Sequence, residues 1–93
     1  MQLDLIFEWD EQKAWRNKLK HGISFETAVH VFDDRNRIKY FDEKHSYSEA
    51  RYITIGLVRE IVVVVYICRD PSIRIISARK ANEKEIRRYQ DGY

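Results

Sequence analysis

The unbroken apolar run Ile61–Ile67, continuing into Cys68, limits what this chain can become more than any other feature. Successive strand residues point to opposite faces, so a segment with no polar face is too apolar for an exposed strand and belongs at the centre of a sheet. It is also far short of the roughly 20 residues needed to cross a bilayer as a helix. The 93 residues are enough for one compact domain, not two.

The segments around this run carry weaker but consistent periods. Leu3, Leu5, Phe7 and Trp9 alternate with polar neighbours, apart from Ile6, and predict a first strand. Asp10 is a good N-cap, and Gly22 is a natural residue to end a helix, which predicts a helix over 11–21. Its narrow apolar side is Trp15 and Leu19; Lys13, Asn17 and Lys20, at i, i+4 and i+7, form a polar stripe. Ser24 can cap a second helix, on which Phe25, Ala28, Val29 and Phe32 form an inner face. Short alternating strands follow at Ile38–Tyr40, Tyr52–Val58 and Arg74–Ala78, with a polar loop from Asp42 to Ala50. Arg59-Glu60 is a tight connection without the Gly or Asn such turns prefer, and Arg69–Ser72 has turn composition. Asn82 with Glu85 reads as a capping box for a last helix with Ile86 and Tyr89 inward. The predicted class is α+β: an antiparallel sheet of four to five strands, with two N-terminal helices and a C-terminal helix packed on one side.

No basic segment followed by an apolar stretch opens the chain, so no secretory signal is read. A lone Cys68 cannot form an internal disulfide and fits a reducing, cytoplasmic setting; within its apolar run a buried, inert thiol is expected. His21, His30 and His45 are too scattered for a metal site, and the three glycines form no phosphate-binding loop. Neither metal nor cofactor is expected, and nucleotide-cofactor enzymes are excluded.

The net charge of +2 hides two basic clusters, one near the first helix and one near the C-terminus. Such clusters suit a local anionic target, and solvated helix faces give the same pattern. Three constellations carry possible chemistry. Lys20-His21 ends the first helix; an imidazole can exchange a proton near neutral pH, and basic residues there also simply favour the helix dipole. Arg79-Lys80 follows the last strand beside a helix N-terminus, placed either to bind phosphate or to pair with Glu83 or Glu85. His45-Ser46, Glu49 and Arg51 can surround an anion, or form a solvated loop that Arg51 ties down.

Taken together, these segments resemble the BrnT family of type II toxin–antitoxin systems. The resemblance rests on Phe7-Glu8-Trp9-Asp10, Lys13, Asn17, and Lys20-His21-Gly22-Ile23-Ser24-Phe25-Glu26 with Ala28. It continues through Asp42, His45-Ser46, Arg51 and Gly56, and ends in Arg74-Ile75-Ile76-Ser77-Ala78-Arg79-Lys80-Ala81 with Glu85 and Tyr89. It implies a RelE-like ribonuclease fold and RNA cleavage that lowers translation. It also implies neutralisation by a BrnA-like ribbon-helix-helix antitoxin, with operator DNA reached only through that partner. The expected chemistry is metal-independent attack of the RNA 2′-OH on its own phosphate. Arg51 and Arg79 would stabilise the phosphate with help from Lys20 or Lys80; His21, and less so Glu26, would transfer protons. Lys13, Asn17, His45 and Arg74 would join Lys80 in holding substrate. The rival expectation is a non-catalytic module that acts with a DNA-binding antitoxin in promoter repression.

Overall fold

The computed structural model describes residues 5–69 and 71–92. Strand β1 (Ile6–Glu8) leads into α1 (Glu11–His21) and α2 (Phe25–Val29), which tightens into a 3₁₀ turn at His30–Asp33. Then come β2 (Ile38–Phe41), a 3₁₀ turn at Glu43–His45, β3 (Arg51–Val58), β4 (Glu60–Arg69), β5 (Ser72–Lys80) and α3 (Glu83–Asp91). The sheet order is β1-β5-β4-β3-β2, so the apolar run is indeed the central strand. Leu3 and Asp70, read above as strand and turn residues, lie outside the described residues. No helix among the described residues is long and apolar enough to cross a membrane.

The local signals formed as read. The Asp10 side chain accepts from the Gln12 and Lys13 amides, and Gly22 ends α1 at φ 75°. Asn82 and Glu85 close a reciprocal capping box at the start of α3. Arg59 takes a positive φ of 62° between β3 and β4, the strain expected where a tight turn has neither Gly nor Asn.

Four expectations need correction. The sheet is mixed, because β2 to β5 form an antiparallel meander while β1 joins the free edge of β5 in parallel. The helices cover both faces. On one face, Phe25, Ala28, Val31 and Phe32 pack over Val62, Val64, Tyr66, Ile73, Ile75 and Ala78. On the other, Tyr89 of α3 packs with Ile38, Ile55 and Val63. A strand apolar on both sides cannot leave either wholly to water, which is why α3 crosses to the second face. Cys68 is exposed, one residue from the end of β4.

The fourth correction concerns the rotation of α1. Trp15 and Leu19 are 66% and 67% exposed, whereas Asn17 is buried. The Asn17 amide donates to the carbonyls of Ala78 at 2.8 Å and Ile23 at 3.0 Å, and its oxygen accepts from the Ala78 N–H at 3.1 Å. Beyond β1 the edge of β5 has no strand partner, and its backbone groups need one once buried. An amide supplies both donor and acceptor, as a neighbouring strand would, so satisfying the edge outweighs burying two apolar side chains.

On the second face α3 is pinned by Asp34. Its carboxylate accepts from the Tyr89 hydroxyl at 2.6 Å, the Leu57 N–H at 2.7 Å and the Asn36 N–H at 2.9 Å. Burial alone would raise the Asp34 pKa; these hydrogen bonds and nearby Arg37 outweigh it and hold the group below the usual aspartate value. The same bond to Asp34, with some burial, pushes Tyr89 up to about 12. Close approach is also needed at Gly56, where a Cβ would lie 2.7 Å from Val31 Cγ1 in the core.

Asn17→Ala should therefore cost on the order of 3 kcal/mol in urea unfolding, since it strands several backbone groups at about 1–3 kcal/mol apiece with partial relief from water. A loss under about 0.5 kcal/mol would show that the edge is held by other means. Tyr89 gives a pH test. The folded state holds its phenolic proton more tightly than the unfolded chain does. That stabilisation is intact below the ordinary tyrosine value near 10 and fades as pH rises towards about 12. Unfolding titrations of Tyr89→Phe should lack this alkaline component relative to the wild-type chain.

Candidate active site

The second face of the sheet is only partly covered by α3. Where the helix ends its cover, Ile53, Val65 and Ile76 form an apolar floor, and Asp42, Lys44, His45, Arg51, Ser77 and Arg79 surround it. The cleft holds about 410 Å³, within the range of small-ligand sites.

A β-bulge brings Arg79 to this cleft. Val65 pairs with Ser77 and Tyr66 with Ile75, so Ile76 is an extra residue on β5. With strict alternation, Ile73, Ile75 and Ser77 would share the core face and Arg79 would follow them inward. The inserted residue shifts the phase, so Ile73, Ile75 and Ala78 are buried while Ser77 and Arg79 face the cleft. The guanidinium then meets Glu85 of α3 in a paired contact, with both N–O distances 2.8 Å. Glu85 also accepts from the Asn82 N–H at 2.9 Å, so the helix cap and the arginine share one carboxylate. Hydrogen bonding to Arg79 comes first among the causes that hold Glu85 below the usual glutamate value, and the reciprocal effect raises Arg79. Of the two partners foreseen for Arg79, the structure selects Glu85.

The loop before β3 supplies the opposite rim. The Asp42 N–H donates to the Arg51 carbonyl at 2.9 Å. Ser46 Oγ donates to the Asp42 carbonyl at 2.6 Å and accepts from the Arg51 N–H at 2.9 Å. This closed loop sets Asp42 against His45, whose Nδ1 lies 3.1 and 3.2 Å from the two carboxylate oxygens. With Nδ1 engaged by a largely buried carboxylate, Nε2 is the nitrogen left for chemistry. The side chains of Arg51 and Lys44 have no ionic or hydrogen-bonding partner among the described residues.

Of the residues singled out from the sequence, the structure brings Arg51, Arg79 and His45 to one cleft. It does not bring the others. Arg74 lies one row away, bonded to Glu8 at 3.0 Å, and Lys80 sits 3.7 Å from Glu60 near the β3–β4 turn. Lys13 and Lys20 are exposed on α1, His21 ends that helix, and none of them lines the cleft. Glu26 borders a separate groove between α1 and α2 together with Trp15. The buried Asn17 amide is committed to backbone groups. Sequence reasoning gave no site role to Asp42, Lys44, Ser77 or Glu85. The Asp42–His45 spacing of i, i+3 was the one available signal for the first of these.

No cluster of three or more His, Cys, Asp or Glu side chains able to hold a metal ion occurs among the described residues.

Residues 9–85 match the family described as "Ribonuclease toxin, BrnT, of type II toxin-antitoxin system". The fold is similar to the 1.1 Å crystal structure of the Brucella abortus ribonuclease toxin BrnT, with a TM-score of 0.65 and 23% sequence identity. That alignment covers 86% of this chain and 100% of the other. No curated protein sequence matches the chain.

Proposed function

Because the chain belongs to the BrnT family of ribonuclease toxins of type II toxin–antitoxin systems, we propose that it cuts RNA in the cleft between the His45 loop and α3. The observation that carries this reading is the pairing of an uncompensated Arg51 with an Arg79 held in place by Glu85 at the rim of one apolar-floored cleft.

The reaction is attack of a 2′-OH on the adjacent phosphorus. The new O2′–P bond forms, the P–O5′ bond breaks, and the products are a 2′,3′-cyclic phosphate and a free 5′-OH. Negative charge grows on the phosphoryl oxygens in the transition state, and guanidinium groups at the cleft stabilise it, Arg79 being fixed beforehand by Glu85. Arg51 and Arg79 take that part, with Lys44 adding charge. His45 transfers the proton through Nε2, with Asp42 orienting the ring, as a carboxylate does for a catalytic histidine. The geometry gives no support to proton transfer by His21 or Glu26, nor to a phosphate contact by Lys20. Side-chain cations supply the charge that a metal ion would otherwise provide, so the reaction is read as metal-independent. Ile53, Val65 and Ile76 offer a nucleobase a surface to lie on.

A type II toxin implies an antitoxin, and we assign that role to a BrnA-like ribbon-helix-helix protein that carries the complex to operator DNA, in the cytoplasm. The exposed Trp15 and Leu19 of α1 support a protein partner, since aromatic and apolar anchors are favoured at interfaces.

Arg51→Ala should lower kcat for RNA cleavage on the order of 100-fold, the effect of losing one charged donor to the transition state. Its stability should change by less than about 0.5 kcal/mol, because the side chain has no ionic or hydrogen-bonding partner to lose among the described residues. Wild-type turnover in this variant would remove the cleft from the mechanism. Cleavage by the wild-type chain should also persist in excess EDTA and leave 2′,3′-cyclic phosphate ends; loss of activity on chelation would overturn the metal-independent reading.

A further inference from the structure

A second, smaller depression adjoins the cleft on the same face. It holds about 100 Å³ and is bordered by His45, Tyr47, Ser48, Glu49, Arg51 and Ile67. His45 and Arg51 border both spaces and so form the wall between them. Tyr47 stands over the smaller one with 89% of its surface exposed and no ring contact among the described residues. The acid on this wall does not repel phosphate, because Glu49 is held by Arg69 through two hydrogen bonds of 2.9 and 3.0 Å.

A phosphodiester has a nucleoside on each side. With its phosphorus at the shared wall of Arg51 and His45, one nucleoside falls into the larger cleft and the other over the smaller depression. The smaller space cannot engulf a base, but it can seat one flat against the phenol ring. An aromatic ring offers a rigid stacking surface to any base, with few torsions to immobilise.

We propose that Tyr47 is the platform of a second nucleotide subsite, on which the base on one side of the cleaved phosphate stacks. The assignment rests on the reading of the neighbouring cleft as the RNA-cleaving site. Tyr47 acts here as a positioning residue. It makes the subsite tolerant of base identity, because stacking reads no base edge.

The test uses the full chain and a short oligoribonucleotide cut at a single mapped bond. Tyr47→Ala should raise KM about tenfold with little change in kcat, the size expected for one lost base–aromatic stack. Tyr47→Phe and Tyr47→Trp should restore KM, and Tyr47→Leu should not. An abasic nucleotide at one of the two positions flanking the cleaved bond should raise the wild-type KM similarly and erase the difference between wild type and Tyr47→Ala. Wild-type KM in Tyr47→Ala, rescue by Tyr47→Leu, or an unchanged difference with both abasic substrates would each overturn the subsite. Arg51→Ala, run in parallel, separates the failures. If it is inactive while Tyr47→Ala is unaffected, only the subsite falls; if it cuts like wild type, the cleft reading falls and the subsite with it.

Discussion

Everything else in this molecule is arranged around a central strand that cannot give either face to water. Val62, Val64 and Tyr66 demand cover on one side of β4, and Ile61, Val63 and Val65 on the other. The first demand is met by α1, α2 and the following 3₁₀ turn. The second is met only in part, since α3 spans Asp91 back to Glu83 and covers Val63 with Ile55 and Ile38. What remains is the apolar strip of Ile53, Val65 and Ile76. A small domain has little helix to spare, and the uncovered portion of its second face becomes the floor of the cleft.

The charges around that floor follow from which cations find carboxylates. Arg69 engages Glu49, Arg74 engages Glu8, and Lys80 approaches Glu60. Exposed pairs of this kind add little stability, but they remove three cations from competition for an anion. Arg51 and Lys44 are left without such partners, both on the cleft. Two cations without a carboxylate partner therefore border the cleft, a local arrangement that net charge alone cannot reveal.

Features set by neighbours in sequence were legible in advance. The cap at Asp10, the end of α1 at Gly22, the capping box of α3 and the central place of Ile61–Ile67 depend on residues a few positions apart. Arg51, Arg79 and His45 could be named for the same reason, as charged residues at strand ends and in a polar loop. The rest depended on long-range competition. The stripe Lys13-Asn17-Lys20 reads as a wet helix face, and only the unpaired edge of β5, 61 residues later, turns Asn17 inward and Trp15 outward. Lys20 and His21 lie outside the cleft because α1 packs with the other face of the sheet. The bulge at Ile76 left a faint trace in the spacing of Ile73, Ile75 and Ala78, which departs from strict alternation. Nothing local distinguishes that trace from an ordinary polar face.

The two arginines at the cleft are not equivalent, and the difference has a physical origin. A guanidinium has about five N–H donors; Glu85 takes two of those on Arg79 and the Lys80 carbonyl a third, at 3.3 Å. Arg79 is therefore rigid and partly neutralised, suited to fixing where a phosphate sits more than to attracting it. Arg51 brings an uncompensated charge on a side chain free to follow its ligand. Because Glu85 also closes the cap of α3, the position of Arg79 is tied to the start of that helix, whose far end is pinned through Tyr89 and Asp34. The orientation of one half of the cation pair is thus inherited from the packing of α3, whereas the other half is set by the closed loop from Asp42 to Arg51. On the proposed reading, a transition state that needs both charge and placement is served by two unlike arginines, one held through Glu85 and one without a side-chain partner among the described residues.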